Sequence, residues 1–482
     1  MRAVSDAYMQ AVSGNVIPKC EPIITLKFKD ASGAEQSIKW QSKDIKSFNY
    51  KQGFDPLGRT LPFIEATWTE IYYGEFDENN EPTKYNNVGQ YGLVEIEFEQ
   101  QLTRGFTTWG FLKSKGVKWG DLKDKTWGEV ARGGSTEKIA MPKLFLSAKP
   151  EFNNNTITWK AVDLLSIFNG TQDKIVGFDE SFTEGGMAIP IKGVFANTIL
   201  DERAGFVYSP YVIQAITDTV AGIQSDDVLN NIILNKPFLM KGTTKDCLLN
   251  LATANGCYIE FDGGGIKIST AVGGFTDLNP FTNNVLKNPP ILTKNPVASS
   301  YQYKVYSLAL DKENPYQLSP EVIIKDGVAL AYWFFDGYGT ITANAEVLGD
   351  TLDYKQSVMT ADTLVGKPII EVSPITQSSR DGYKQLSTQG EAFVEDNPLN
   401  VYDIDDDRLQ SRIDYISNFY GGNTYSLEFS AFPNLAFELG DVVGVETNLT
   451  SSGNKIIKRA MIVEYELSYN GALSEKIKAH EV

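Results

Sequence analysis

The chain has 482 residues and a mass of 53.4 kDa, which is too long for one ordinary hydrophobic core, so we expect three or four domains. Hydrophobic residues make up 42% and charged residues 22%, values typical of a folded globular protein rather than a disordered or fibrous one. Lys and Arg total 44 against 61 Asp and Glu, a net charge of −17. This balance disfavours a cationic groove for phosphate backbones, and we expect no sequence-specific nucleic acid partner.

Histidine and cysteine usage excludes several kinds of active site. The single histidine, His480, lies near the end of the sequence, which leaves no internal general base for a Ser or Cys triad and no His cluster for zinc. The three cysteines, Cys20, Cys247 and Cys257, fit neither a disulfide framework nor a zinc ribbon and are predicted to be buried thiols. We predict no cofactor and no metal.

The beginning of the sequence carries no apolar core of signal-peptide length, and no run of eighteen apolar residues occurs anywhere. We therefore expect no transmembrane segment. Met1 to Val12 is predicted to form a short leading helix.

The first 165 residues are mostly predicted strands separated by turn residues, a pattern typical of an antiparallel barrel or sandwich. Strict alternation between Leu93 and Glu99 places Val94, Ile96 and Phe98 on one face, as expected for a half-buried strand. The predicted strands are Ile23 to Phe28, Ser37 to Trp40, Ile45 to Tyr50, Ile64 to Tyr73, Leu93 to Gln101, Leu144 to Ala148 and Thr156 to Lys160.

Residues 105–134 form an insertion that a compact sheet does not require, and they contain Trp109, Trp119 and Trp127. These tryptophans could bind a sugar or a partner chain, or the insertion could fold back on its own aromatics. Both interpretations remain open from the sequence.

A mixed α+β region follows, in which Val212, Ile213, Ile216 and Val220 recur at helical spacing. Thr243 or Thr244 is predicted to cap a second helix that stops at Gly256. Cys257 to Phe261 and Ile266 to Ser269 then form a predicted hairpin across a glycine turn.

Residues 277–300 are rich in Asn and Pro and are predicted to be a connector. The chain then returns to strands, with one interrupting helix from about Asp406 to Tyr420. The strands predicted in this part are Ser300 to Leu310, Val328 to Phe335 and Thr424 to Ser430.

Paired carboxylates could support glycoside hydrolysis, for example Glu65 with Glu70, or Asp179 with Glu180. With 61 acidic residues, no pair is singled out by its local context, so we predict no catalytic residues and no enzyme activity.

Two other motifs also have simpler interpretations. Asp403, Asp405 and Asp407 resemble the start of a calcium loop, but Arg408 takes the position that requires Gly, which favours a helix start instead. Gly263 to Gly265 lies between two predicted strands, so it is a turn rather than a phosphate-binding loop.

The order of these units resembles the hub proteins of phage tails and contractile baseplates. The resemblance is carried by DIKSFNYKQGFDPLGRTLPFIEATWTEIY at 44–72, by TITWKAVDLLSIF at 156–168 and by the helix and hairpin unit between Thr243 and Thr270. It is most specific at the C-terminal end, in NPLNVYD at 397–403, YSLEFSAFPNLAFELGDVVGVET at 425–447 and IVEYELSYNGALSEKIKAHEV at 462–482.

This resemblance implies an α+β, β-rich fold in which two antiparallel β-barrel-like domains flank a mixed α+β domain. The expected division is 1–170 for the N-terminal barrel, 171–276 for the mixed domain, 277–300 for the connector and 301–482 for the C-terminal β-rich part with the closing barrel. The resemblance further implies a homotrimer whose two barrels per chain form a pseudo-sixfold ring.

The partners implied by the resemblance are distal tail or tail tube ring proteins, the tape-measure protein, and tail spike, fibre or receptor-binding proteins. The implied location is the distal end of the tail in the virion, after synthesis in the host cytoplasm. Many relatives continue into a lysin or fibre and this chain does not, so we expect a bare hub. The alternative function is a receptor-binding or carbohydrate-binding tail module.

Overall fold

The structure is a computed structural model. It describes residues 2, 4–12, 19–30, 32–58, 60–78, 82–85, 87–89, 91–102, 118, 120, 136–153, 155–167, 209–221, 224–225, 249, 252, 257–262, 265–269, 281–295, 298–310, 316–318, 321–325, 328–334, 339–344, 356–360, 369–385, 391–393, 399–402, 410–415, 417, 424–449 and 455–482. Strands dominate these residues, and a large antiparallel sheet forms the core of the fold.

The described residues of the N-terminal third form a short leading helix, nine strands and a second short helix. They are α1 (Asp6–Val12), β1 (Cys20–Lys29), β2 (Glu35–Trp40), β3 (Ile45–Gly53), β4 (Phe63–Ile71), β5 (Leu93–Gln101), β6 (Thr136–Ala140), β7 (Leu144–Leu146), β8 (Glu151–Asn153), β9 (Thr156–Val162) and α2 (Leu164–Ile167), with a 3₁₀ turn at Thr83–Tyr85.

Among the described residues, the middle region includes a helix and a three-stranded sheet, and the remaining strands belong to the C-terminal part. These elements are α3 (Pro210–Ala221), β10 (Gln224–Ser225), β11 (Tyr258–Asp262), β12 (Gly265–Ser269), β13 (Ile291–Lys294), β14 (Ala298–Leu310), β15 (Tyr316–Leu318), β16 (Glu321–Lys325), β17 (Val328–Phe334), β18 (Gly339–Asn344), β19 (Gln356–Thr360), β20 (Ile369–Gln385), β21 (Glu391–Phe393), β22 (Leu399–Tyr402), β23 (Tyr425–Ala431), β24 (Val442–Leu449), β25 (Lys455–Tyr469) and β26 (Leu473–Glu481).

One continuous sheet joins the two ends of the sequence. Its strands follow the order β13-β23-β26-β25-β3-β4-β9-β7-β5-β1-β2, and β24, β6 and β8 pair beside this path. The junction is the antiparallel pair β3–β25, in which Tyr50 lies opposite Leu467 and Phe48 opposite Tyr469. All four side chains are buried, so the interior continues across the junction. A single hydrophobic core therefore contains residues from both ends of the sequence.

The N-terminal half of this sheet curls on itself. Phe48 on β3 meets Phe98 on β5 at 5.8 Å between ring centroids, although three strands separate β3 from β5 in the sheet. Trp40 on β2 likewise contacts Trp68 on β4 at 5.4 Å. Contacts between inner faces of strands that are not neighbours require strong curvature. Among the described strands, no hydrogen-bonded pair joins β2 to β3, so the curled sheet stays open there.

The C-terminal half of the sheet is crossed by the segment 281–294. Phe281 forms a bridge to Val445 on β24, and Leu286 forms one to Ala431 on β23. The segment then pairs as β13 with β23. Segment 281–294 therefore pairs with both β23 and β24, the outer strands of the β24-β25-β26-β23 set. It lies within residues 277–300, which the sequence predicted to be a connector.

The antiparallel, β-rich character predicted from the sequence is confirmed, as are the leading helix and the 257–269 hairpin. The alternation in β5 is confirmed as well, because its even-numbered residues are buried and its odd-numbered ones are only partly buried. The predicted helix near Asp406 is helical at 410–415 and 417, the part that the structure describes. The division into two β-barrel-like domains that flank a mixed α+β domain remains a prediction.

Candidate functional site

The N-terminal interior contains the buried carboxylate of Glu70. This residue sits on the inner face of β4 and is only 4% exposed. Its Oε2 accepts hydrogen bonds from the indole Nε1 of Trp40 and, at 2.9 Å, from the hydroxyl of Tyr85. Its Oε1 accepts one from Trp159 Nε1 at 3.3 Å. Three aromatic donors from β2, β9 and the 3₁₀ turn thus converge on one buried carboxylate.

The rings that carry these donors also pack together with the ring of Trp68. Trp68 and Trp159 are stacked at 6.0 Å with an interplanar angle of 7°, and Tyr85 meets Trp159 edge-on at 5.0 Å. Burial raises the pKa of Tyr85 well above its usual value, and its hydrogen bond to Glu70 adds to that rise. The tyrosine therefore stays a proton donor to Glu70. This geometry makes Glu70 an acceptor that organises the core.

Glu65, the candidate partner of Glu70 in an acid pair, lies on the other face of the same strand. The five-residue separation on β4 reverses the direction of the side chain, and Glu65 instead faces Lys160 at 3.9 Å. The structure does not bring the two carboxylates together, which removes the pair as a basis for glycoside hydrolysis.

A pocket of about 500 Å³ opens beside Glu70, at the end of the curled sheet. Trp40, Glu70 and Tyr85 line it from the core side, and the turn after β4 supplies an exposed Tyr73. The remaining lining residues are Lys39, Asp44, Ile71, Tyr72, Gly74, Glu75, Thr83 and Lys84.

Another buried carboxylate, that of Glu475, lies in the C-terminal half of the sheet on β26. It is 1% exposed, and its Oε2 accepts the backbone N–H of Asn434 at 3.1 Å. Burial raises the pKa of Glu475 to about 8, although the Asn434 N–H and the Tyr465 hydroxyl both favour the carboxylate. Within the described residues, Glu475 Oε1 has no partner of hydrogen-bonding geometry.

The leading segment of the chain is fastened close to Glu475. The backbone N–H of Arg2 donates to Ala436 O at 2.8 Å, and Arg2 Nη1 donates to Leu435 O at 2.8 Å. The Tyr8 hydroxyl on α1 accepts the Leu435 N–H at 2.7 Å, with Tyr8 fully buried. These hydrogen bonds hold the first residues of the sequence against residues 434–438, and we call this contact the clasp.

Replacing Tyr8 by Phe should destabilise this clasp. The Leu435 N–H would lose its acceptor inside the core, which costs about 1–3 kcal/mol. We expect a matching fall in the free energy of unfolding in urea. Tyr383→Phe, on the exposed surface of β20, is the control and should change that free energy by less than about 0.5 kcal/mol. An equal effect of both substitutions would contradict the clasp.

The other residues considered from the sequence lie apart from these sites. His480 is on β26, where its Nδ1 lies 3.4 Å from Asn295 Nδ2, and burial lowers its pKa against an opposing effect of Glu481. Cys20 and Cys257 are buried free thiols, as predicted. Cys247, Asp179, Glu180, Asp403, Asp405, Asp407, Arg408, Gly263, Gly264 and the three tryptophans of the insertion lie outside the described residues.

Within the described part of the chain, no group of three or more His, Cys, Asp or Glu side chains is placed to hold a metal ion. No described helix is long and apolar enough to span a membrane.

The sequence analysis did not predict the burial of Glu70 or of Glu475, although a signal for each was present. Ile64, Ala66, Trp68 and Glu70 share one face of a strand by period-two alternation. Leu473, Glu475, Ile477 and Ala479 do the same on β26. An acidic residue in register with apolar ones on a half-buried strand predicts a buried acid.

Solved structures that match the chain over most of its length include a prophage tail protein, a second tail protein from a bacterium and a component of a secretion system. The 43 kDa tail protein of prophage MuSo2 from Shewanella oneidensis matches at 10% identity, covering 95% of this chain and 98% of its own, with a TM-score of 0.39. A tail protein from Neisseria meningitidis matches at 7% identity, covering 96% and 97%, with a TM-score of 0.44.

A component of the type VI secretion system of E. coli, described as structurally similar to phage T4 tail proteins, matches at 7% identity, covering 91% and 74%, with a TM-score of 0.32. No protein-family model matches the chain. No curated protein matches its sequence.

Proposed function

We propose that the chain is a non-enzymatic structural hub of a phage tail tip or baseplate. Three copies form a ring that closes the distal end of the tail tube and connects it to spike, fibre or receptor-binding proteins. Above the hub lie the distal tail or tail tube ring proteins, and the tape-measure protein passes through its lumen. The sequence motifs at 44–72, 156–168 and 425–482 are the basis for naming this class of protein.

The observation that supports the proposal most is the β3–β25 pair. It joins the curled N-terminal region and the antiparallel C-terminal region of one chain into a single sheet, with Asn49 Nδ2 donating to Glu466 Oε1 at 2.6 Å and Lys51 lying 3.5 Å from Glu464. A subunit with two such regions in fixed relation can offer two similar faces to a sixfold neighbour, which removes the mismatch between a trimer and a sixfold tube.

The ends of the sheet are suitable assembly surfaces. Among the described strands, β2 pairs only with β1, and β13 pairs only with β23. Ile291 on β13 is exposed, as are most residues of β2. Strand edges of this kind are usually covered by a partner in a native assembly. We therefore place contacts between subunits at β2 and β13.

Electron microscopy of the purified protein tests this arrangement. We expect class averages with threefold symmetry and six lobes around a central opening, two lobes from each chain. Pro substitutions at Thr293 on β13 and at Ser37 on β2 should reduce the fraction of rings, because each adds a residue that cannot pair along the edge. Particles of one chain, or rings without a threefold axis, would contradict the proposal.

A further inference from the structure

We propose that the pocket beside Glu70 binds a neutral oligosaccharide. The site consists of the buried floor formed by Trp40, Glu70 and Tyr85, the exposed ring of Tyr73, and the charged side chains around the mouth. A binding site of this kind goes beyond a purely structural hub and does not depend on the ring.

The pocket is held rigidly before any ligand arrives. The Glu75 carbonyl accepts hydrogen bonds from the Tyr72 hydroxyl at 3.0 Å and from the Thr83 N–H at 3.1 Å. Phe76 bridges to Pro82, and the rings of Tyr72 and Phe76 meet edge-on at 5.4 Å. Cross-links of this kind fix the turn that carries Tyr73. A preformed site loses little conformational freedom on binding, which favours affinity for a small ligand.

Tyr73 is the residue that most needs an explanation. Its side chain is 85% exposed, the highest value among the large hydrophobic residues that the structure describes. Ile71 beside it is also exposed. An aromatic ring held out at the mouth of a pocket provides a flat apolar face, and the C–H face of a pyranose ring stacks on such a surface. The Tyr73 hydroxyl remains available to water or to a sugar hydroxyl.

The mouth of the pocket carries two positively charged and two negatively charged side chains. Lys39 and Lys84 supply ammonium donors, and Asp44 and Glu75 supply carboxylate acceptors. None of the four forms an ion pair with another described residue. Hydroxyl groups both donate and accept hydrogen bonds, so the hydroxyls of a neutral sugar can bind the ammonium and the carboxylate groups alike. An ionic ligand would be repelled by the two side chains that carry its own sign of charge. The volume of about 500 Å³ falls within the range of roughly 300–1,000 Å³ for small-molecule sites.

Isothermal titration of the full-length protein with two neutral probes, tri-N-acetylchitotriose and maltotriose, tests the proposal. We expect at least one probe to bind, and Tyr73→Ala to weaken that binding by about tenfold or more, because the stacking face is lost. Glu75→Gln should weaken it less. Tyr383→Ala is the matched control, since Tyr383 is an exposed tyrosine outside the pocket at 58% exposure.

Tyr73 makes few contacts, so the Tyr73→Ala variant should fold normally, and its near-ultraviolet circular dichroism should match that of the unaltered protein. Absence of binding by both probes up to about 10 mM would overturn the proposal. Binding that is unchanged by Tyr73→Ala, or reduced equally by Tyr383→Ala, would overturn it as well.

Discussion

Replacing Glu70 by Ala should lower the free energy of unfolding by about 3–5 kcal/mol, because three buried donors lose their common acceptor and a cavity is left behind. The indole groups of Trp40 and Trp159 and the hydroxyl of Tyr85 all belong to buried side chains that donate to this carboxylate. Urea unfolding followed by tryptophan fluorescence measures this loss directly, since Trp40, Trp68 and Trp159 surround the altered position.

Glu65→Ala is the matched control for this experiment. The two residues share a strand and a chemical type, but Glu65 lies on the outer face, where its contact with Lys160 is solvated. An exposed ion pair contributes roughly 0–1 kcal/mol, so this substitution should change stability little. If both substitutions cost the same, Glu70 would not be the organising acceptor of the aromatic core.

Glu475→Gln should stabilise the protein above neutral pH and flatten its dependence on pH. The folded-state pKa of Glu475 is raised from 4.5 to about 8 by burial, so the folded protein retains a proton that the unfolded chain has lost. The contribution of Glu475 to the free energy of unfolding is largest below pH 4.5 and falls as the pH rises towards 8. Above about pH 8 it no longer changes. One pKa unit corresponds to about 1.4 kcal/mol, so the effect at pH 7 is on the order of 3 kcal/mol.

A neutral amide in place of the Glu475 carboxyl avoids this cost. The amide would keep an oxygen for the Asn434 N–H and would offer an N–H group towards the Tyr465 hydroxyl. We expect the urea midpoint of the variant to vary little between about pH 5 and pH 9, while that of the unaltered protein falls.

Glu428→Gln is the control for the pH series. The Lys476 hydrogen bond on the neighbouring strand holds the pKa of Glu428 below its usual value, so this group stays ionised throughout the tested range. Substitution of Glu428 should leave the slope of the urea midpoint against pH unchanged above pH 5. A slope that persists in Glu475→Gln would show that another group is responsible.

Local sequence patterns predicted the strands well because alternation and turn residues are short-range signals. β1 to β5, β7 and β9 all form within a few residues of their expected bounds. The pairing between strands is not local, because Leu467 lies opposite Tyr50 across more than four hundred residues. Neither strand contains a local pattern that identifies its partner. The same holds for the bridges from Phe281 to Val445 and from Leu286 to Ala431.

The candidate site was harder to predict for the same reason. Glu70 was noted only as one acid among many, because its three donors come from β2, β9 and the turn at Tyr85, which converge only in the folded sheet. The pocket mouth likewise draws Lys39, Tyr73 and Lys84 from separate parts of the sequence. Only the in-register position of the acid among apolar residues was visible beforehand.

The central claim, a ring-forming hub, is tested most directly by the absolute mass of the purified protein in solution. Light scattering across a concentration series should give a mass close to three times 53.4 kDa, with the trimer persisting on dilution. A mass of one chain at every concentration would contradict the account, because a subunit that does not associate with its own copies cannot form the proposed ring.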